Sequence, residues 1–181
     1  MQIKEVYFWN TQVYGYNPWP TAVTNYIPQM VSNSQNGYIA TSSEQFESRP
    51  AYDAFYVETV SWSNEKQFHS TKIYAGNTAR SQIQCPDNIT VTKIKIASRK
   101  ADTSINQRPI RAFTLQWSND WTNFTDLLTQ TNLASTRWNY STSNEQERTV
   151  TTNTAYQYYK LVVTANGDYV AFNYWNIDGL I

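Results

Sequence analysis

The sequence predicts an all-β fold built from two packed antiparallel sheets. Three observations carry this prediction: apolar residues recur with a period of two, turn-forming residues separate these segments at short intervals, and no window sustains a helical stripe for three turns. The alternating segments are Phe113–Trp117, Tyr159–Val163 and Val170–Tyr174. The turn signals are Asn36-Gly37, Cys85-Pro86-Asp87-Asn88, Ser118-Asn119-Asp120 and Asn166-Gly167-Asp168. Short strands with frequent turns favour a β-sandwich.

Two local irregularities are predicted within this pattern. Apolar residues occupy odd positions at Ile89 and Val91 but even positions at Ile94 and Ile96. A β-bulge near Thr92 and Lys93 would account for the change of phase. A short helical turn is expected around residues 50–55, after Pro50.

Composition and charge exclude several classes of partner. The chain has 181 residues, 40% of them hydrophobic, which is enough for one core and one compact domain. The 14 basic and 14 acidic residues cancel, so no overall field would attract nucleic acid or an acidic membrane. We expect no membrane insertion and no signal peptide. Cys85 is the single cysteine, so we predict a buried, unreactive thiol and no intramolecular disulfide.

The first 25 residues are predicted to form an N-terminal arm, with the compact domain over residues 26–181. Gly15, Pro18 and Pro20 would interrupt any long strand there. The arm is rich in aromatic residues that must fold back or dock on a partner. The aromatic residues assigned to this interface are Tyr7, Phe8, Trp9, Tyr14, Tyr16 and Trp19.

From Ile27 to the end, the order of motifs resembles the F5/8 type C family, also called discoidin-like or carbohydrate-binding module family 32 domains. The motifs that carry the resemblance are "IPQMVSNSQNGYIATSSE", "RPAYDAF", "FHS", "IQCPDNITVTKIKIASR", "FTLQWSND", "AYQYYKLVVTAN" and "YVAFNYWNI". These motifs are most similar to versions of the module in bacteriophage tail and other virion proteins and in bacterial surface proteins. The resemblance implies an antiparallel β-sandwich jelly roll of the galactose-binding-like type, whose loops at one end bind sugars, phospholipid head groups or proteins.

The resemblance also implies a structural calcium site, from which this chain departs. Family members commonly have Phe-Asp-Gly where this chain has Phe55-Tyr56-Val57, and a glutamate where it has Tyr174 or Asn176. Calcium needs six to eight oxygen ligands including carboxylates. We therefore expect no metal cofactor, with Asp53 or Glu58 as the substitutes that could supply a carboxylate.

Four residues match positions that bind sugar in the resembled family. Arg99, at a strand end, and Asn106, in the next loop, would hydrogen-bond a pair of sugar hydroxyls, and His69 would offer one donor and one acceptor. Tyr169 would stack on the apolar face of the pyranose ring. Each also has a structural alternative: a solvated Arg99, a turn-forming Asn106, a strand His69 and an edge-packing Tyr169.

Trp117 and Trp121 stand where the family tends to have glycine. Alternation places Trp117 on the side of Phe113 and Leu115, which indicates a packed residue. A three-residue loop, with Asn119 and Asp120 in left-handed conformations, would set the two indoles opposite each other as a clasp. The alternative is a stacking surface for a partner.

The functional prediction is a non-catalytic carbohydrate-binding module of a virion or surface-attachment apparatus that recognises cell-surface glycans. No pair of carboxylates, nucleophile motif or glycine-rich phosphate loop marks an enzyme. Weak single sites would need several copies, so we expect a homo-oligomer or a larger assembly, in a virion or on a bacterial cell surface. The rival is a structural or decoration virion protein that docks on other virion or surface proteins through the arm and the jelly roll. Jelly rolls serve both purposes, so the predicted fold is compatible with either hypothesis.

Overall fold

The fold is an antiparallel β-sandwich, as predicted. A computed structural model of the chain describes residues 20–43, 49–56, 68–70, 76–98, 110–131, 145–165 and 170–181. Within these ranges the chain forms strands β1 (Ala22–Val23), β2 (Ser34–Gln35), β3 (Tyr38–Ser42), β4 (Phe68–His69), β5 (Thr78–Ser98), β6 (Ile110–Ser118), β7 (Thr125–Gln130), β8 (Glu145–Thr149), β9 (Tyr156–Ala165) and β10 (Ala171–Leu180). The described ranges hold no α-helix; a 3-10 helix, Ala51–Phe55, lies where the helical turn was predicted. No helix in them is long and apolar enough to cross a membrane.

All strand pairs are antiparallel, and β5 belongs to both sheets. The β9 sheet has the order β2-β3-β5-β9-β6-β7 and uses the first part of β5. The β10 sheet pairs β10 with β1, β4 and the second part of β5, which also pairs with β8. The register between β5 and β9 shifts between Gln84 and Ile89, where the chain continues as strand β5 instead of forming the turn predicted at residues 85–88. Ile89 still pairs with Tyr156 of β9 and Thr90 already pairs with Leu180 of β10, so the chain passes from one sheet to the other across this irregular segment.

Strand β5 must fold back sharply at this crossing. Thr78 at its start pairs with Thr164, and Ser98 at its end pairs with Phe172. Thr164 and Phe172 are eight residue steps apart in the chain, so they are at most about 29 Å from each other. A straight strand of 21 residues would be roughly 65–70 Å long. Both ends of β5 therefore lie at the same end of the sandwich.

This geometry defines two ends of the molecule. The Ser98 end is formed by His69, Ser70, Thr78, Ser98, Ile110, Ala165 and Val170. The Pro86 end is formed by the turn at Asn36-Gly37, by Pro86, by residues 119–124 between β6 and β7, and by Leu180. The two ends are separated by the length of β9.

The core contains the rows that alternation predicted. Phe113 and Leu115 of β6 and Tyr159, Leu161 and Val163 of β9 are buried. Cys85 is also buried, as predicted, and burial raises the pKa of its thiol, with a smaller contribution from Asp87.

The bulge in β5 is confirmed, and a second one in β10 corrects the sequence prediction. Val91 pairs with Gly179 and Lys93 with Asp178, which leaves Thr92 as the extra residue. In β10 a register shift lies between Phe172 and Tyr174. The prediction that Tyr174 continues the buried row is wrong: Trp175 and Ile177 are buried instead, because the shift exchanges the two faces.

The predicted hairpin at Asn36-Gly37 is also confirmed. Both residues have positive φ, 51° and 84°, as a two-residue hairpin loop requires, and they connect β2 to β3. A Cβ on Gly37 would come within 2.9 Å of the Pro86 side chain, so this turn packs directly on the crossing of β5.

Residues 20–25, which the sequence assigns to the arm, are described and lie along the edge of the β10 sheet. Strand β1 pairs with the end of β10, and the backbones of Thr21 and Ile181 exchange two hydrogen bonds of 2.8 and 3.0 Å. The six aromatic residues assigned to the arm interface (Tyr7, Phe8, Trp9, Tyr14, Tyr16 and Trp19) lie outside the described residues.

Candidate functional site

The Ser98 end brings together the chain positions beside three of the four predicted sugar-binding residues. His69 of β4 pairs with Ala171, and Ser98, which precedes Arg99, pairs with Phe172. Val170, which follows Tyr169, immediately precedes β10, the strand that lies between His69 and Ser98. Arg99, Asn106 and Tyr169, and the side chain of His69, lie outside the described residues. Their roles therefore stay predictions.

The segment that carries Asn106 connects the two sheets at this same end. It begins after Ser98 in the β10 sheet and ends at Ile110, which pairs with Ala165 at the end of β9. The segment that carries Tyr169 begins after Ala165 and ends at Val170. Both segments therefore start and finish at the Ser98 end.

Ser70 is a buried residue that fixes the start of β10 and that sequence reasoning missed. The Val170 N–H donates to Ser70 Oγ at 2.9 Å, and the Ser70 N–H donates to the Val170 carbonyl at 2.9 Å. The two residues are 100 positions apart. The "FHS" motif contains Ser70, but nothing local indicates its partner.

Trp117 is a core-packing residue, as alternation predicted. Its ring stacks on Tyr156 with a centroid distance of 3.5 Å and an interplanar angle of 20°, and it packs against the core. Across the hairpin, Trp117 pairs with Thr125 and not with Trp121. The predicted clasp between the two indoles is therefore wrong, because the connection between β6 and β7 runs over residues 119–124 and is longer than three residues.

Trp121 has a left-handed backbone, at a φ of 63°. The sequence predicted that conformation for Asn119 and Asp120, which tolerate it better than a bulky residue does. Asp120 instead shapes the turn through its carboxylate, which accepts hydrogen bonds from Ser118 Oγ, from the backbone N–H groups of Thr122 and Asn123, and from Asn123 Nδ2.

The turn that contains Trp121 packs against side chains on the outer face of the β9 sheet. The Trp121 ring meets Tyr158 edge to face at 5.2 Å, and Lys160 Nζ lies 3.7 Å from the centroid of the Phe124 ring. Beside them, Gln116 Nε2 donates to Asp126 Oδ1 at 2.7 Å. We call this surface the Trp121 face, and define it by Gln116, Trp121, Phe124, Asp126, Tyr158 and Lys160.

The charges of the Trp121 face are one cation and one anion. Burial lowers the pKa of Lys160, Arg80 lowers it further, and Asp126 acts in the opposite direction. An ammonium over an aromatic face is stabilised by the ring quadrupole, which holds the Lys160 head group against Phe124. The face therefore combines aromatic rings, an amide and balanced charges.

Asn176, one of the positions where the resemblance implies a calcium ligand, is engaged in hydrogen bonds with the backbone. Asn176 Oδ1 accepts from the backbone N–H groups of Ile27 and Ile177, and its Nδ2 donates to the Ile27 carbonyl at 2.7 Å. Asp53 is buried in the 3-10 helix, and Glu58 lies outside the described residues. Among the residues with described side chains, no group of three or more His, Cys, Asp or Glu could hold a metal ion.

Comparison with known proteins shows which solved structures share this fold. No family model and no curated protein matches the sequence. Among solved structures, the family 32 carbohydrate-binding module of C. perfringens NanJ in complex with galactose is similar, with a TM-score of 0.61, 15% identity, and coverage of 88% of this chain and 99% of that one. An F5/8 type C domain from Bacteroides fragilis has a TM-score of 0.63, 11% identity, and coverage of 89% and 97%.

An allantoicase from Saccharomyces cerevisiae is also similar, with a TM-score of 0.59 and 12% identity. The match covers 80% of this chain but only 41% of the allantoicase. At these identities the likeness shows the fold alone. The chain therefore has the fold of family 32 carbohydrate-binding modules and F5/8 type C domains, and this fold occurs in binding modules and within an enzyme chain.

Proposed function

We propose that this protein is a non-catalytic carbohydrate-binding module whose sugar site lies at the Ser98 end. The observation that carries the proposal is the strand register, which sets His69 and Ser98 on the two strands that flank the start of β10, next to Val170. These positions adjoin or include three of the four residues that match sugar-binding positions in the sequence. The likeness to a galactose-bound module supports the same ligand class.

Each proposed residue has a role that suits a sugar. Arg99 presents a planar fork of donors, and Asn106 presents one donor pair and one acceptor, so together they can hold two neighbouring hydroxyls. His69 supplies a further donor or acceptor, and Tyr169 offers a π face to the C–H groups of the ring. None of these contacts requires a catalytic acid or base.

The finer role that we propose is attachment, as part of a virion or surface apparatus. Thr21 lies beside Ile181 at the Pro86 end. An arm that docks on a partner at the Pro86 end would leave the Ser98 end accessible to glycans. An assembly of several copies raises the effective concentration of weak sites. Docking through the arm and glycan binding are therefore compatible, because they use opposite ends.

A glycan array tests the sugar site. An oligomeric form of the protein is applied to the array, with galactose-terminated glycans as the first probes, and Arg99→Ala is compared with Arg148→Ala, a control on β8. We expect the wild-type protein and Arg148→Ala to bind the same glycans, and Arg99→Ala to lose this binding. Absence of binding by the wild-type protein, or equal binding by Arg99→Ala, would overturn the proposal.

Deletion of residues 1–19 tests the arm separately. Loss of assembly with retained glycan binding by the truncated protein would support the two-ended arrangement. Loss of assembly in a protein that never binds glycans would favour the structural or decoration role instead.

A further inference from the structure

We propose that the Trp121 face is a second saccharide-binding surface, separate from the Ser98 end, that takes a neutral polysaccharide chain. The two places are far apart, because Tyr158 and Ala165 bracket seven residue steps of β9, or roughly 24 Å. The inference stands on the described side chains of this face and does not require the sugar site at the Ser98 end.

The first argument is the preorganisation of the Trp121 ring. A bulky residue with positive φ is strained, and it persists only where the surroundings hold it. Here the four hydrogen bonds to the Asp120 carboxylate fix the turn, and Tyr158 supports one edge of the indole. Trp121 and Tyr158 both remain half-exposed, so part of each ring faces solvent. A ring held in this way can stack on a sugar without a further loss of side-chain entropy.

The second argument is the hydrogen-bonding capacity beside the ring. Gln116 Nε2 donates to Asp126 Oδ1 at 2.7 Å and so holds this exposed carboxylate in place beside the rings. Lys160, which is half-buried, places its ammonium on the same face. Hydroxyl groups are both donors and acceptors, so a saccharide can donate to Asp126 and accept from Lys160.

The third argument is charge and polarity. Lys160 and the neighbouring Arg80 are offset by Asp126 and by the ionised Asp120 of the turn, which favours a neutral ligand over an anionic one. Outward positions of the neighbouring strands carry amides, hydroxyls and charge, at Arg80, Gln82, Gln84, Thr114 and Thr164. The core of a protein interface is usually more apolar and depleted in charge. The face therefore suits a polyhydroxylated chain better than a protein partner.

Affinity electrophoresis tests this proposal with the full chain. Native gels containing soluble xyloglucan, galactomannan or mixed-linkage β-glucan are compared with a gel that contains no polysaccharide. Trp121→Gly is the informative variant, because glycine adopts positive φ without strain and so deletes the ring while keeping the turn. Asn153→Ala, on an exposed loop at the same end, is the control. All proteins are also tested in an Arg99→Ala background, which removes the proposed site at the Ser98 end.

We expect at least one polysaccharide to retard the wild-type protein, the Asn153→Ala control and the Arg99→Ala background alike. Trp121→Gly should lower the association constant by about ten-fold, equivalent to about 1.4 kcal/mol, with an unchanged thermal unfolding midpoint. Equal retardation of Trp121→Gly and wild type, or no retardation in any polysaccharide, would overturn the proposal. A change confined to the sedimentation coefficient in the absence of polysaccharide would also overturn it, in favour of a protein interface.

Discussion

Asp120 determines the shape of the turn between β6 and β7 through hydrogen bonds to its own neighbours. Its carboxylate accepts from backbone and side-chain donors of Ser118, Thr122 and Asn123. These bonds need the ionised form, and they lower the pKa of Asp120 below its ordinary value of 3.8, with the Asn123 N–H as the largest cause.

This shift predicts a pH dependence of stability. A carboxyl group whose folded pKa is depressed stabilises the fold above its unfolded pKa, and this contribution is lost as the pH falls through the folded value. The free energy of unfolding of the wild-type protein should therefore exceed that of Asp120→Asn at pH 6, and the difference should shrink as the pH falls below about 3.8. Urea denaturation at a series of pH values measures both. A difference that stays constant across this range would contradict the assignment.

At position 121, glycine should give a more stable protein than alanine. At most strand and turn positions alanine is at least as stable as glycine, but the φ of 63° at Trp121 reverses that order. Trp121→Gly should be more stable than Trp121→Ala by about 1 kcal/mol, because only alanine keeps the left-handed strain. Denaturant midpoints of the two variants give the comparison. If alanine is the more stable, the turn has another conformation in solution.

At the scale of elements, Gly179 allows β10 and β5 to approach each other at the bulge. A Cβ at this position would lie 2.5 Å from the Thr90 carbonyl oxygen and 2.7 Å from Ile89 Cγ1. Gly179→Ala should therefore destabilise the fold by about 1–3 kcal/mol, as overpacking of a core does. Gly76→Ala is the control, because nothing lies within 4 Å of its Cβ and only its positive φ of 87° opposes the change. A urea midpoint for Gly179→Ala equal to that of the wild-type protein would show that the strands can separate without penalty.

Asn176 fastens the segment before β2 to the β10 sheet. Its amide exchanges two hydrogen bonds with the Ile27 backbone, and Asn25 and Lys95 add contacts to Asp178. Asn176→Ala should lower the free energy of unfolding by about 2–4 kcal/mol, because it leaves buried Ile27 groups without partners, each costing about 1–3 kcal/mol. Asn153→Ala, an exposed asparagine, should change it by less than about 0.5 kcal/mol. Similar values for the two variants would contradict this role.

At the scale of the whole molecule, Thr21 and the proposed sugar site lie at opposite ends of the sandwich. Cys85 is buried with a raised pKa, so an engineered surface cysteine can be coupled to a support selectively. Coupling through Asn153→Cys should retain binding of galactose-terminated glycans, whereas coupling through Ser104→Cys should abolish it because residue 104 lies in the segment that starts and ends at the Ser98 end. Surface plasmon resonance with the two immobilised proteins gives the comparison. Equal binding from both orientations would place the sugar site elsewhere.

Much of the fold follows from local patterns in the sequence. Alternation predicted the buried rows at Phe113–Leu115 and Tyr159–Val163, the change of phase predicted the bulge at Thr92, and Asn36-Gly37 predicted its hairpin. These features depend on residues a few positions apart, since strand geometry imposes a period of two and tight turns require particular backbone angles. The sequence by itself therefore determined the fold class and which faces of these strands are buried.

Tertiary structure alone decided which distant residues meet. Ser70 binds Val170, Asn176 binds Ile27, Trp121 meets Tyr158 instead of Trp117, and β5 folds back so that Thr78 and Ser98 lie at one end. No local period reports such contacts, because they depend on how two sheets pack and on where a bulge exchanges the faces of a strand. The sequence selected candidate residues for the Ser98 end, and the register of β4, β10 and β5 decided that the positions beside them converge.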